Sequence, residues 1–439
     1  MNPRKFTLTA ISAVVALSFG LTAPLSAQHD FDDGGVGSNW NTADNWDPNG
    51  VPDTVGDDLT TIGRNGANVT VELDSIVPDI FDLRIGDSAG SPGASTGTLN
   101  FTAGSLTTNN WTIVGVDGDA VDPANGTFNL SGTASYNGIG PTFIGSFGSD
   151  GASTGTATLS GLASYSTAEL TVGHNNGNSG TFTQSGGTVT TGNAIAVGRE
   201  SGAVGIYNQT AGTATSNNWI TVGETSGATG TYNISGGTVT ATTDFSVGQQ
   251  ENATGNLNVS GTATVNAQNL RVGRLFAGGG GATGNLVITG SNATILTGTF
   301  ELGGESFSAA DATGNLSFIA DLGGLSAIGT GAAFLNDGTV TGTSSLLVDL
   351  TSWSQFTQIG TGLLSQEITL IDSNDPIVGT FAGLAEGASI SVGGGQFGTL
   401  SYVGGSGTDI TLTVLIPEPS VALLSILGVF GLVTRRRRR

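Results

Sequence analysis

A four-residue pattern, two apolar residues flanking a variable one and closed by glycine, dominates this chain. It reads Leu83-Arg84-Ile85-Gly86, Leu170-Thr171-Val172-Gly173, Ile195-Ala196-Val197-Gly198, Ile220-Thr221-Val222-Gly223, Phe245-Ser246-Val247-Gly248, Leu270-Arg271-Val272-Gly273 and Phe300-Glu301-Leu302-Gly303, with looser copies ending at Gly115 and Gly145. Successive glycines lie 29, 30, 28, 25, 25, 25, 25 and 30 residues apart. A unit of about 25 residues cannot close a core of its own, so it must bury its apolar face against the units on either side.

Each unit contains three short segments of period-2 alternation. The first places Phe182/Gln184, Tyr207/Gln209, Tyr232/Ile234, Leu257/Val259, Leu286/Ile288 and Leu316/Phe318 on one side, with Thr183, Asn208, Asn233, Asn258 and Ser317 on the other. The second places Val189, Ala214, Val239 and Ala263 inward, flanked outward by Thr188/Thr190, Thr213/Thr215, Thr238/Thr240 and Thr262/Thr264. The third is the tetrad. Three strands per unit predict an all-β fold, a right-handed parallel β-helix in which each unit is one coil, and nine coils at about 4.8 Å each make a rod of roughly 43 Å. Propeller blades need four strands and about 40 residues, and leucine-rich repeats need a helical or 3-10 segment, so neither competitor fits. The 73 glycines follow from the turns, which need positive φ.

The sequence divides into 1–27, a signal peptide; 28–80, an N-terminal cap; 81–344, the repeat array; 345–415, a small β-sheet cap; and 416–439, a C-terminal sorting segment. The signal peptide is read from Arg4 and Lys5, an apolar run from Phe6 to about Phe19, and Leu25-Ser26-Ala27 before Gln28. In the cap, Trp40 and Trp46 would cover the open end of the first coil, and Asn39-Trp40, Asn45-Trp46, Pro52, Asp57-Asp58 and Ile62 resemble the opening segment of autotransporter-like β-helices. Beyond Ser345, alternating runs such as Leu346/Val348/Leu350, Ile368/Leu370 and Ile410/Leu412 would shield the other end.

The C-terminal segment reads Pro417-Glu418-Pro419, a charge-free stretch from Val421 to Val433, and Arg435, Arg436, Arg437, Arg438 and Arg439. A helix of 13 residues covers only about 20 Å of a roughly 30 Å hydrocarbon core, so it makes a short transmembrane anchor suited to transient use. The arginines hold that end in the cytoplasm. These three ordered parts resemble the PEP-CTERM sorting signal, whose processing partner is exosortase, a membrane transpeptidase-like enzyme of Gram-negative envelopes. The resemblance implies export across the inner membrane, cleavage near Pro-Glu-Pro and delivery to the cell surface or extracellular matrix. It covers about 24 residues and is silent on what the body does.

The two terminal segments hold seven of the 12 basic residues and one of the 34 acidic ones, so the body from 28 to 416 carries a net charge of −28. Nucleic acid is therefore not an expected partner, because there is no basic surface from which counterions would be released. With no cysteine and only His29 and His174, thiolate and histidine-pair chemistry is closed. The ionisable residues of the array (Glu169, His174, Arg199, Glu200, Glu224, Asp244, Glu251, Arg271, Arg274) read as scattered, so no catalytic set, metal site or cofactor is expected. Asp30/Asp32/Asp33 and Asp117/Asp119/Asp122 read as solvated loops. Gly404-Gly405-Ser406-Gly407-Thr408-Asp409-Ile410-Thr411 resembles one nonapeptide calcium repeat but reads as a hairpin turn, since that site needs tandem copies.

The expected role is a non-enzymatic structural or adhesive protein of the surface or exopolysaccharide matrix. Two alternatives share the same residues. The outward Thr188, Thr190, Thr213, Thr215, Thr238 and Thr240 would form a flat hydroxyl lattice like that of ice-binding β-helices. The outward Trp111 and Trp219 would stack on sugars in a polysaccharide-binding or polysaccharide-degrading β-helix.

Overall fold

The computed structural model describes residues 27–416 apart from 36, 55–56, 65, 89–92, 119–120, 146–152, 175–176, 201, 226, 251, 275–280, 305–311, 337–341 and 357–363. Every pairing among the strands from Asn68 to Asp349 is parallel and joins one coil to the next, which makes a β-solenoid of about ten coils. Three stacks carry it. On the tetrad face Leu170 lies on Ile195, Ile220 and Phe245 in turn. On the first face Phe182 lies on Tyr207, Tyr232 and Leu257, and on the second Val189 lies on Ala214 and Val239. The bends between faces need not interrupt the chain: the first two faces are one strand in Ser179–Thr191 and Val204–Ser216, and the last two are one strand in Thr238–Val247 and Thr264–Val272.

The alternation assigned from sequence is the alternation that packs. Phe182, Tyr207, Tyr232, Leu257, Leu286 and Leu316 are buried in one continuous core with Val189, Ala214, Val239 and the tetrad pairs. Glycine does its work where the tetrad strand meets the first strand of the following coil. A Cβ on Gly205 would overlap the Val172 carbonyl oxygen and the Gly198 nitrogen, and a Cβ on Gly198 (φ +69°) would overlap the Thr229 carbonyl. Here the cross-section narrows until only backbone fits. Two glycine columns, one closing each tetrad and one opening each first strand, run along that corner.

Away from the corner the interior is wide enough for aromatic rings. Phe182, Tyr207 and Tyr232 stack with centroids 4.8 and 4.5 Å apart. Their phenols need partners in so dry a place. Tyr207 donates to Gln184 Oε1 at 2.8 Å and Tyr232 to Gln209 Oε1 at 2.7 Å, while the glutamine amides donate to the carbonyls of Thr213 and Thr238. Burial pushes the phenols of Tyr136, Tyr165, Tyr207 and Tyr232 above their ordinary value, so all four stay neutral.

Both ends are closed by chain that breaks the parallel rule. Trp40 and Trp46 are fully buried, packed edge to face with Phe31 against Trp46, and the Trp46 indole donates to the Trp40 carbonyl at 2.8 Å. At the other end Leu364–Ser373, Phe397–Gly404 and Asp409–Ile416 pair antiparallel, and their Leu370, Leu400, Leu412 and Val414 join the core. The calcium-like run is the hairpin turn between the last two of these strands.

Two expectations need adjustment. The solenoid is longer than 81–344, because Ala27–Phe31 and Asp57–Arg64 already stack parallel on the tetrad face and Thr343–Asp349 stacks on Thr313–Ile319. The fourth threonine pair slips by two: Thr264 lies on Thr238 and Asn266 on Thr240, with Thr262 left in the preceding turn, so paired threonines span three coils. Residues 1–26 of the signal peptide read at 1–27, and residues 417–439 of the sorting segment read at 416–439, its short transmembrane helix included, lie outside the described residues. Among the described residues no helix is long and apolar enough to cross a membrane.

Three substitutions probe these contacts. Gly205→Ala should lower stability by about 3 kcal/mol or more, since backbone must move apart. Gly202→Ala (φ +74°), which meets nothing within 4 Å, should cost only about 1 kcal/mol. Tyr207→Phe leaves Gln184 Oε1 buried without its donor and should cost about 1–2 kcal/mol. Denaturant midpoints of the three variants check all of these values.

Candidate functional site

The outer side of the tetrad face gathers seven of the nine ionisable residues that looked scattered in sequence; Glu200 lies in the turn that follows, and Glu251 is outside the described residues. Register places three outward columns there. One precedes the tetrad (Trp111, Glu169, Ala194, Trp219, Asp244, Asn269), one is its variable residue (Arg84, Ile113, Phe143, Thr171, Ala196, Thr221, Ser246, Arg271, Glu301), and one follows its glycine (Asp87, Val116, His174, Arg199, Glu224, Gln249, Arg274). Separations of 23 to 34 residues between all ion partners but Arg84 and Asp87 hide this, because the partners occupy different places in their units.

All five arginines of the body stand on this face and all are paired. Arg64 lies 3.7 Å from Asp30 and 3.9 Å from Asp87, and Arg84 lies 3.3 Å from Asp87 and 3.8 Å from Asp117. Arg199 bridges Glu169 and Glu224; Arg271 bridges Asp244 and Glu301, with Arg274 3.0 Å from Asp244. Carboxylates stacked about 4.8 Å apart would repel along a column, and an arginine reaching between coils relieves them.

The variable residue is the floor between the two outer columns, and its size decides whether the face is filled or hollow. Ile113 and Phe143 fill it at one end, forming a side cluster with Val116 on which the half-buried Trp111 packs, its ring 6.2 Å from Phe143. Phe143 also meets His174 edge to face at 5.0 Å. Arg271 and Glu301 fill it at the other end. Between them the floor is small, Thr171, Ala196, Thr221 and Ser246; Arg199 reaches over Thr171, and the last two leave a cleft of about 230 Å³, walled by Trp219 and Asp244 on one side and by Glu224, Gln249 and Arg274 on the other.

The two carboxylates of the cleft differ. Burial pushes Glu224 above its ordinary value, opposed by Arg199 and by a 3.1 Å hydrogen bond from the Thr221 hydroxyl. Asp244 is held below its ordinary value by Asn269, whose amide donates at 2.7 Å, and by Arg271 and Arg274, which together outweigh its desolvation. Asp244 is thus spent on its neighbours. Gln249 Oε1 is a buried acceptor with no hydrogen-bond partner.

Of the two tryptophans proposed as sugar platforms, the structure exposes one. Trp219 is 36 % accessible, whereas Trp111 is packed. Thr188, Thr190, Thr213, Thr215, Thr238 and Thr240 do point outward on the second face, and Thr213 donates to Thr188 at 3.4 Å. Their lattice is two columns by three coils, continued by Ser164/Ser166 on one side and Thr264/Asn266 on the other. On the first face asparagines form amide ladders, Asn258 to Asn233 to Asn208 and Asn315 to Asn285 to Asn256. Of the aspartate clusters, Asp30 accepts from Gln28 and pairs with Arg64, and Asp122 accepts from the Gly93 amide; Asp119 lies outside the described residues. Among the described residues no group of three or more potential ligands could hold a metal ion. The sorting residues Pro417 to Pro419 and Arg435 to Arg439 are likewise outside them.

No family model matches the chain, and neither a curated protein nor a solved structure is similar enough to count as a relative.

The ion ladder predicts a pH signature. Asp244, lowered on folding, contributes stability that is present above its unfolded value and lost as the pH falls through the folded one. Asp244→Asn should therefore cost about 1 kcal/mol at pH 7, a value set by its partial exposure. The gap to the parent should close toward pH 3, as thermal unfolding across pH 3–8 would record.

Proposed function

We propose that this chain is an exported, non-enzymatic structural or adhesive protein of the cell surface or exopolysaccharide matrix. In this reading residues 1–27 direct export and the segment from Pro417 to Arg439 is a PEP-CTERM signal. The short apolar helix holds the chain transiently in the inner membrane until exosortase processes it near Pro-Glu-Pro. The body then stands as a right-handed rod of roughly 50 Å, stiffened by ladders that repeat every coil.

The observation that carries the non-enzymatic reading is the fate of the charges. Every arginine of the body is tied into an ion pair, and the two remaining faces present hydroxyl and amide ladders rather than groups poised for proton transfer. Such surfaces suit hydrogen bonding to a hydroxyl-rich matrix. The polysaccharide-degrading alternative has Glu224 and Asp244 to draw on, but Asp244 is already engaged by three donors. The ice-binding alternative rests on three coils of paired threonines.

Intact-mass analysis of the protein from its native envelope should show loss of residues 1–27 and of the segment beyond Pro-Glu-Pro; a full-length mass would sink the sorting assignment. Incubation with a panel of neutral and acidic polysaccharides should release no reducing or unsaturated ends, and sustained turnover would replace the matrix role with a degradative one.

A further inference from the structure

We propose that the Trp219 cleft is a carbohydrate subsite that takes a neutral pyranose of the matrix polysaccharide. The inference deepens the surface-matrix reading and rests on it for the identity of the polymer, but the site itself is argued from geometry. The floor is small over four successive coils, at Thr171, Ala196, Thr221 and Ser246; the Arg199 guanidinium reaches over Thr171 at 3.4 Å, and the cleft opens over the last two. Thr221 and Ser246 lie directly on one another, where Ile113 and Phe143 below and Arg271 and Glu301 above close the same groove. Asp244 sits one coil above Trp219, and Gln249 one coil above Glu224, the Gln249 amide donating to the Gly223 carbonyl and the Gln250 amide to that of Glu224.

This arrangement supplies the two things a sugar ring needs. A partly exposed indole gives the apolar C–H face something to stack on. Around it stand acceptors whose needs are incompletely met: Gln249 Oε1, buried and without a partner, and Glu224, whose nearest cation is 3.6 Å away. A pyranose hydroxyl fits the partly exposed Glu224 carboxylate directly, and Gln249 Oε1, closed to solvent, takes a second once its side chain turns toward the ring.

Charge narrows the class. Two carboxylates in the walls, within a body of net charge −28, oppose a uronate or sulfated sugar. A quaternary ammonium group is opposed by Arg274 in the wall and by Arg271 beside it, and would find one aromatic ring instead of a cage. A neutral ring avoids both costs.

The test uses the full-length protein expressed in its native host, titrated with cellohexaose, maltohexaose and hexagalacturonate while indole fluorescence and heat of binding are followed. At least one neutral hexamer should bind in the millimolar range or tighter, and the hexauronate at least tenfold more weakly. Trp219→Ala should weaken binding at least tenfold, Trp219→Phe should retain most of it, Glu224→Gln should weaken it severalfold, and Trp111→Ala should leave it unchanged. Circular dichroism of each variant should match the parent. No binding of either neutral hexamer, equal binding by Trp219→Ala, or preference for the uronate would overturn the subsite. Any of these alongside correct Pro-Glu-Pro processing leaves the matrix role standing. Trp219-dependent binding with release of reducing ends keeps the subsite and overturns the non-enzymatic role.

Discussion

The contact on which this molecule depends is between backbones. Where each tetrad ends and the next first strand begins, Gly198 meets Thr229 and Gly230 of the following coil, and Gly205 meets Val172 of the preceding one. No side chain fits between them. The close approach fixes the angle of the corner, and the corner fixes which residues of the two strands oppose each other in the core. Once that register is set, the period of the sequence becomes a period in space, and identical residues stack as columns. The tyrosine–glutamine ladder is the first beneficiary: it needs Tyr207 and Tyr232 one coil above Gln184 and Gln209, with no slip.

The same register organises the outside. Because each coil advances by only about 4.8 Å, a like charge placed at the same outward position in consecutive coils is a repulsion, and the chain meets this by alternating types. Glu169, Arg199 and Glu224 form one such set; Asp244, Arg271, Arg274 and Glu301 form another. The hollow at Trp219 lies between the two sets. It is bounded by Glu224 at the edge of the first and Asp244 at the edge of the second, and it stays open because the floor there carries hydroxyl side chains.

How much of this could be read from the sequence follows from what repetition encodes. The tetrads, the inward alternation and the terminal role of Trp40 and Trp46 were legible because each is local, a matter of period 2 and a closing glycine. The extra coils were harder. Thr60-Thr61-Ile62-Gly63 is a tetrad whose first inward place holds threonine, as Thr112 and Thr142 do in the looser copies, and an apolar filter passes over it. The fourth threonine pair failed for the opposite reason: Thr262 and Thr264 have the right spacing, but an added residue in the turn moves Thr264 onto Thr238. Trp111 and Trp219 occupy the same place in their units, so no local rule separates them. What separates them is the floor beside each, Ile113 and Phe143 for one and Thr221 and Ser246 for the other, and the contribution of the neighbouring coil is visible only after the register is known.

That last difference also says how a solenoid of this kind acquires a site. A catalytic centre in a globular fold needs residues drawn from many elements at once, whereas here small residues at one repeated position open a cleft wherever no long side chain such as Arg199 reaches over them, and their neighbours in the flanking columns become its walls. The cost is low: a threonine or serine at a floor position leaves the inward Ile220, Val222, Phe245 and Val247 untouched, so the core and the glycine corner do not register the change. The proposed subsite and the core that stabilises the rod are thus on opposite faces of the same strand. It follows that the floor column can vary from coil to coil without disturbing the rod, and that the walls gain meaning only where the floor is hollow; Glu224 and Gln249 are then distinguished from the other outward polar residues by lining the hollow, Gln249 with a buried acceptor oxygen that has no partner.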